Sequence, residues 1–177
     1  MHELFTIRRA SAEDNDINAI GFLAQQIWPV TYGEIISPEQ MKYMLDLFYN
    51  PDALSRQMQE DRHQFIIMEH EEEAIGFASW GPVEPGIAKL HKLYILPVGQ
   101  GKGLGRGMLD FIYGILREEG VSGLRLNVNR HNEAQRFYEK LGFKIIGKED
   151  IDIGNGYYMN DFIMEAKVPP DEYNDDI

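Results

Sequence analysis

Residues 87–119 read IAKLHKLYILPVGQGKGLGRGMLDFIYGILREE, and the order of elements they encode decides the fold. Leu90, Leu93, Tyr94, Ile95 and Leu96 form an apolar, β-prone run that Pro97 stops. Gly99-Gln100-Gly101-Lys102-Gly103-Leu104-Gly105-Arg106-Gly107 follows, with glycine at five of nine positions. Residues without Cβ atoms let backbone N–H groups come close to a ligand. Leu104, Met108, Phe111, Ile112, Ile115 and Leu116 then recur at helical spacing, so a helix starts inside the glycine run. A glycine loop opening a helix is a phosphate cradle, because its N–H donors lack intrahelical partners and the dipole favours negative charge. Lys102 and Arg106 add cationic partners.

Two common phosphate patterns fail here. The dinucleotide pattern G-x-G-x-x-G puts Arg106 in sixth place from Gly101 and Met108 in sixth place from Gly103. The nucleotide loop G-x-x-x-x-G-K-[ST] fails because Gly103 follows Lys102. The pattern that remains is Gln100-x-x-Gly103-x-Gly105.

The chain has 177 residues, 44% hydrophobic and 26% charged, which suits one domain over residues 1–167 with an acidic, mobile tail over 168–177. It has no cysteine, which excludes disulfides, thiolate metal sites and a cysteine nucleophile. Five scattered histidines offer no metal constellation. No apolar run approaches the roughly 18 residues of a membrane span, and MHELFTIRRA has no signal layout. These features predict a cytoplasmic protein that engages no membrane. A net charge of −12 argues against nucleic acid as a partner. It suits a small cationic substrate, although solubility alone explains it too.

Residues 4–9 read as a strand. Ser11 is a candidate N-cap for a helix over Ile17, Ile20, Leu23, Ala24 and Ile27 that Pro29 ends. Ser37-Pro38-Glu39-Gln40 starts a second helix with a capping box, and a third covers Asp52 to about Glu60. Strands follow at Gln64–His70 and Ala74–Trp80, joined by a solvated turn at Glu71-Glu72-Glu73. After the central helix come a strand at Leu124–Asn129, a helix capped by Asn132 and closed by Gly142, and strands at Phe143–Gly147 and Tyr157–Lys167. This order predicts an α/β fold with a mixed sheet.

Asn132, Ala134, Phe137, Tyr138, Lys140, Gly142 and Phe143 resemble the signature N-x-x-A-x-x-[FL]-Y-x-[KR]-x-G-F of the GNAT family of N-acetyltransferases, with Ala134 one residue nearer to Asn132 than in that form. The glycine loop likewise resembles the family's pyrophosphate loop, Gln/Arg-x-x-Gly-x-Gly/Ala. The two signatures stand in the family's order and span residues 87–143. Within the family the chain is similar to PaiA-type spermidine/spermine acetyltransferases. That likeness rests on Leu93–Leu96, the Asn132–Phe143 segment, Asp161–Met164 and Ser37–Met41.

The resemblance implies a mostly antiparallel mixed sheet, splayed in the middle after Tyr94, with helices on both faces. It implies acetyl-CoA as co-substrate and direct attack by a primary amine, with a polyamine as the specific expectation. Gln100, Gly101, Lys102, Gly103, Leu104, Gly105 and Arg106 would hold the pyrophosphate. Leu93, Tyr94 and Ile95 would line the pantetheine arm, with the Leu93 and Ile95 backbones pairing to it, and Asn132 would bond nearby. Tyr138 would protonate the departing thiolate. The base is open: Asn127 stands where some members carry a glutamate, so His91 or a water chain takes that part. Glu34 or Asp46 would meet a cationic substrate. A homodimer is compatible with the family. A protein or peptide N-acetyltransferase and a non-catalytic acyl-CoA sensor are the alternatives.

Overall fold

The structure, a computed structural model, describes residues 4–170. Its elements are β1 (Phe5–Arg9), α1 (Asp14–Tyr32), α2 (Pro38–Tyr49), α3 (Pro51–Gln59), β2 (Gln64–His70), β3 (Glu73–Glu84), β4 (Ile87–Ile95), α4 (Leu104–Glu118), β5 (Gly123–Asn129), α5 (Ala134–Lys140), β6 (Lys144–Gly154) and β7 (Tyr157–Lys167). One seven-stranded sheet runs in the order β1-β2-β3-β4-β5-β7-β6. By their contacts the residues fall into two compact units. The first runs to Gly81 and includes His91–Gly105; the second holds Pro82–Leu90 and the chain from Arg106 onward.

In the first unit, β1 pairs β2 and β2 pairs β3, both antiparallel. Phe65, Ile66, Ile67 and Met68 are buried in succession. Side chains alternate faces along a strand, so this sheet is covered on both faces. Ile17, Ile20, Leu23, Ala24 and Ile27 bury the face of α1 that their spacing predicts. Ser11 does not cap α1. Its N–H donates to Asp16 Oδ2 at 2.9 Å, the Arg8 guanidinium binds both oxygens of that carboxylate, and the helix begins at Asp14. Arg8 holds the Asp16 carboxyl below its ordinary range. Nor does Pro29 end the helix, which runs on to Tyr32; Gly33 N–H closes on Pro29 O at 3.1 Å. An interior proline loses its N–H bond and crowds the carbonyl four residues back, yet one turn of helix continues past Pro29 here. The α2 cap is as read: Ser37 Oγ accepts from Gln40 N–H at 3.1 Å. Asn50 caps α3 through Ala53 N–H at 2.8 Å.

In the second unit, β4 pairs β5 in parallel over Ile87–Leu90 and Gly123–Leu126. β7 pairs both β5 and β6 antiparallel. Leu124, Leu126 and Val128 on β5 are buried, as are Met108, Leu109, Ile112 and Leu116 on α4. Phe111, expected on that helix's apolar face, is exposed. β3 runs four residues past Trp80 and tolerates Pro82. The register with β2 ends at Gln64↔Trp80, so one edge of β3 has no ladder partner to lose there. β6 runs seven residues past Gly147. It is an outer strand, and its charged Lys148-Glu149-Asp150 suit an edge rather than ending it. Of the expected tail, Val168 N–H donates to Ser122 O at 2.8 Å and Arg117 donates to Pro169 O at 2.9 Å. Residues 171–177 lie outside the described residues.

Candidate active site

The glycine loop leaves β4 through a short 3-10 turn, Pro97–Gly99. Gly101 and Gly103 adopt φ of 79° and 75°, the left-handed region where a Cβ is strained. An added Cβ at Gly101, Gly103 or Gly107 would meet nothing within 4 Å, so the loop faces open space there. Gly99 differs: its Cβ would lie 2.8 Å from Ile95 Cγ2 and 3.1 Å from Leu104 Cδ1, so it seats the loop against the strand end. Leu104 is buried as the first residue of α4, and Gly105 follows it. The first N–H groups of that helix have no acceptor within it. Arg106 is 70% exposed and 4.0 Å from Asp110. Lys102 Nζ stands 5.6 Å from the centre of the Phe5 ring. Gln100 Nε2 reaches Ile95 O at 3.5 Å.

The edge of β4 is legible from two contacts. Leu96 N–H donates to Ile75 O at 2.8 Å, and a Cβ on Gly76 would lie 2.9 Å from Tyr94 O. Tyr94 and Leu96 therefore turn their backbone groups toward β3. Strand alternation turns those of Leu93 and Ile95 toward the opposite edge. The β5 register stops at Leu90↔Leu126 while β4 runs on to Ile95, so the printed pairing covers Ile87–Leu90 of β4.

Side chains of the first unit build an aromatic cluster beside β4. Tyr32 and Tyr94 hydroxyls are 2.7 Å apart. Trp28 lies 4.7 Å from the Tyr32 ring and 5.6 Å from Tyr49, and Phe77 lies 5.7 Å from Tyr94. Burial pushes the Tyr49 phenol well above its ordinary pKa. Lys92 is 9% exposed, and burial lowers its pKa to about 8. His91 stacks on His63 at 3.9 Å between ring centres, an arrangement that strand periodicity could not foresee.

In the second unit, Asn132 Oδ1 accepts from Ala134 N–H at 2.9 Å, so its side chain starts α5. Tyr138 is 8% exposed, edge-on to Phe137 at 5.2 Å and to Phe143 at 5.4 Å. Asn127 Nδ2 donates to Glu149 Oε2 at 3.0 Å and to Asp161 Oδ2 at 3.4 Å. Burial raises the Asp161 pKa. Sequence reading missed these two carboxylates because only the β5-β7-β6 register brings them to Asn127. It also passed over Tyr32 and Gln57, whose partners are far along the chain.

Among the described residues no helix is long and apolar enough to cross a membrane. Residues 34–158 match the acetyltransferase (GNAT) domain. A spermidine N(1)-acetyltransferase of Thermoplasma acidophilum is 29% identical over 166 residues, 91% of this chain and 96% of the relative. The ribosomal protein bS18-alanine N-acetyltransferase of Haemophilus influenzae is 39% identical over 71 residues, 40% of this chain and 45% of that one. The crystal structure of the PaiA N-acetyltransferase of Thermoplasma acidophilum in complex with coenzyme A superposes with a TM-score of 0.78 at 28% identity, over 93% of this chain and 99% of the other. The fold, the glycine loop and the matched span make this chain a member of the GNAT family of acetyltransferases.

Proposed function

We propose that the protein is a cytoplasmic N-acetyltransferase that moves an acetyl group from acetyl-CoA to a small primary amine, a polyamine being the favoured acceptor. The observation that carries the reading is the pairing of a left-handed glycine loop with an adjacent strand edge at Leu93 and Ile95. The coenzyme A complex of the PaiA relative supports the donor, and the spermidine acetyltransferase relative supports the acceptor. In this reading the loop from Gln100 to Arg106 holds the pyrophosphate by backbone N–H groups and two cationic side chains. The Leu93 and Ile95 backbones hold the pantetheine arm as a strand would, and an N–H there polarises the thioester carbonyl. The Asn132 side chain is already engaged at α5, so its part in cofactor binding is to set that turn.

Acetyl transfer forms a C–N bond and breaks a C–S bond. The leaving sulfur takes a proton from the Tyr138 hydroxyl, the acid of this reading. The acceptor nitrogen loses its proton through water, and His91 is the imidazole of β4 that such a chain would reach. The protein acts without nucleic acid or membrane, as a monomer or homodimer. The second reading, acetylation of a peptide N-terminus, draws on the 71-residue likeness to the alanine N-acetyltransferase.

Thiol release from acetyl-CoA, measured with spermidine, spermine, amino acids and short peptides, tests the proposal. Saturable turnover of a polyamine is the expected result. Faster turnover of a peptide supports the second reading. Tight acetyl-CoA binding with no turnover on any amine overturns both and leaves a sensor.

A further inference from the structure

In the first unit a cavity of about 250 Å³ lies where the end of β1 and the residues after it meet α3 and the start of β2. Main-chain bonds fix its walls: Ala10 N–H donates to Phe65 O at 2.9 Å, and His63 N–H donates to Gln57 O at 2.9 Å. Arg62, just before His63, adopts a φ of 59°, a conformation that costs any residue but glycine, so the turn that delivers His63 is held against strain. Ala10, Ala12, Met58 and Phe65 give the cavity an apolar side, and Arg9 and Gln64 give it a polar one.

Arg9 supplies the charge. Its neighbour Arg8 is held by Asp16 and Glu69. Arg9 itself has no carboxylate partner among the described residues, and its Nη1 donates to the uncharged Gln64 Oε1 at 2.6 Å. A guanidinium carries five N–H donors in a planar fork, so a second edge remains that can take both oxygens of a carboxylate. The chain's net charge of −12 opposes an anion at long range. Salt screens that field beyond ~8 Å, and the nearby guanidinium then decides.

We propose that this cavity binds a short-chain aliphatic monocarboxylate, and that the occupant bears on β4 through His63. The carboxylate pairs with the second edge of the Arg9 guanidinium, and the alkyl chain lies on Met58, Phe65 and the two alanines. The cavity is smaller than the ~300–1,000 Å³ of sites for drug-sized ligands, which limits the occupant to a chain of about four carbons. A phosphate dianion is matched poorly, because one cation and an apolar side leave its second charge unpaired. His63, in the wall, stacks on His91 with 3.9 Å between ring centres and 18° between planes. A ligand against one ring of that stack restrains the other and adds a negative charge beside both. His91 is the imidazole assigned to the proton-carrying water chain, so the regulatory part of this inference rests on the acetyl-transfer reading, whereas the binding does not.

Calorimetric titration with sodium butyrate, butyramide and inorganic phosphate tests the site. Butyrate should bind with a Kd on the order of 1 mM. Butyramide, which keeps the shape without the charge, and phosphate should each bind at least about tenfold more weakly. Arg9→Gln should weaken butyrate by about tenfold or more. Ala12→Leu, which fills the apolar side and keeps the arginine, should do the same, with thermal unfolding as the check on folding. Proton NMR reads the link to β4: the ring signals of His63 and His91 should shift with the butyrate midpoint, and those of His70 and His131 should hold. Absence of saturable butyrate binding, equal affinity for butyramide or phosphate, or parent affinity in either variant overturns the site. A His91 signal that stays fixed while butyrate binds overturns the link. Neither readout involves turnover, so failure of the acetyl-transfer reading shows separately, as a parent that releases no thiol with any amine.

Discussion

The Lys92 ammonium lies 2.9 Å from Gln57 Oε1, with the Tyr49 ring centre 5.3 Å away and the Phe65 ring centre 5.6 Å away. Gln57 is held in turn, its amide donating to Phe48 O at 3.0 Å. The carbonyl and the two ring faces favour the charge, but burial outweighs them and lowers the pKa from 10.5 to about 8. Between those values the unfolded chain binds more protons than the folded one, so stability rises with pH across that window. The penalty is fully present below the folded pKa and disappears above the unfolded one; it is on the order of 3 kcal/mol. Lys92→Met should remove this rise and be as stable as the parent or more so at neutral pH. Urea unfolding at steps from neutral to alkaline pH reads the difference. Parallel curves for parent and variant would reject a strained buried ammonium.

The turn joining β2 to β3 offers a second measurement. Glu71 and Glu72 both sit at positive φ, 52° and 68°, between the paired residues His70 and Glu73. Both central residues left-handed is the hairpin geometry that Asn-Gly fills best. Glu71→Asn with Glu72→Gly should stabilise by about 1 kcal/mol and raise Tm by about 2–4 °C. Acetyl transfer should be unchanged. A fall in polyamine kcat/KM would instead give the acidic tip a part in substrate capture.

Gly76→Ala probes the β3–β4 approach. Its Cβ would fall 2.9 Å from Tyr94 O, a backbone atom that cannot swing aside, and 3.2 Å from Ile95 Cγ1. The strands must separate, at a cost of about 1–3 kcal/mol. The acetyl-CoA KM should rise as well, because the displaced residues adjoin the edge proposed to hold the cofactor. Unchanged stability and KM would mean that β4 shifts freely.

At Gly101 the test differs, because space is open and only the backbone conformation excludes a side chain. Gly101→Ala should cost about 1 kcal/mol of local strain and weaken acetyl-CoA binding by about tenfold. Calorimetric titration with CoA reads the second number, and wild-type affinity in the variant would remove this loop from the pyrophosphate.

Tyr138→Phe keeps the ring that packs on Phe137 and Phe143 and removes only the hydroxyl. The expected result is a kcat lower by about 100-fold or more, with Tm and the acetyl-CoA KM unchanged. A kcat within a few-fold of the parent would assign Tyr138 to packing.

The legible parts of the fold were local ones. The face of α1, the Ser37 cap, the β2 and β7 boundaries and the glycine-to-helix transition depend on neighbours within a few residues, so periodicity and turn chemistry reveal them. What stayed hidden depends on register. Asp16 is drawn to Arg8, which displaces the helix start from Ser11; Pro82 survives because β2 has already ended; Asp161 and Glu149 reach Asn127 only across two strand pairings. The same holds at the candidate site. The glycine loop is written in consecutive residues, whereas Tyr32 meets Tyr94 and Lys92 meets Gln57 across long stretches of chain.

β4 ends its pairing with β5 at Leu90 and keeps going, leaving a row of main-chain donors and acceptors at Leu93 and Ile95. Such a row is an incomplete ladder, and incomplete ladders accept any extended chain that can reach them. On the proposed reading the pantetheine arm of acetyl-CoA finishes it and acts as a fitted eighth strand. Amide hydrogen exchange at Leu93 and Ile95 should then slow when CoA is added, and the filled protein should resist proteolysis and self-association better than the empty one.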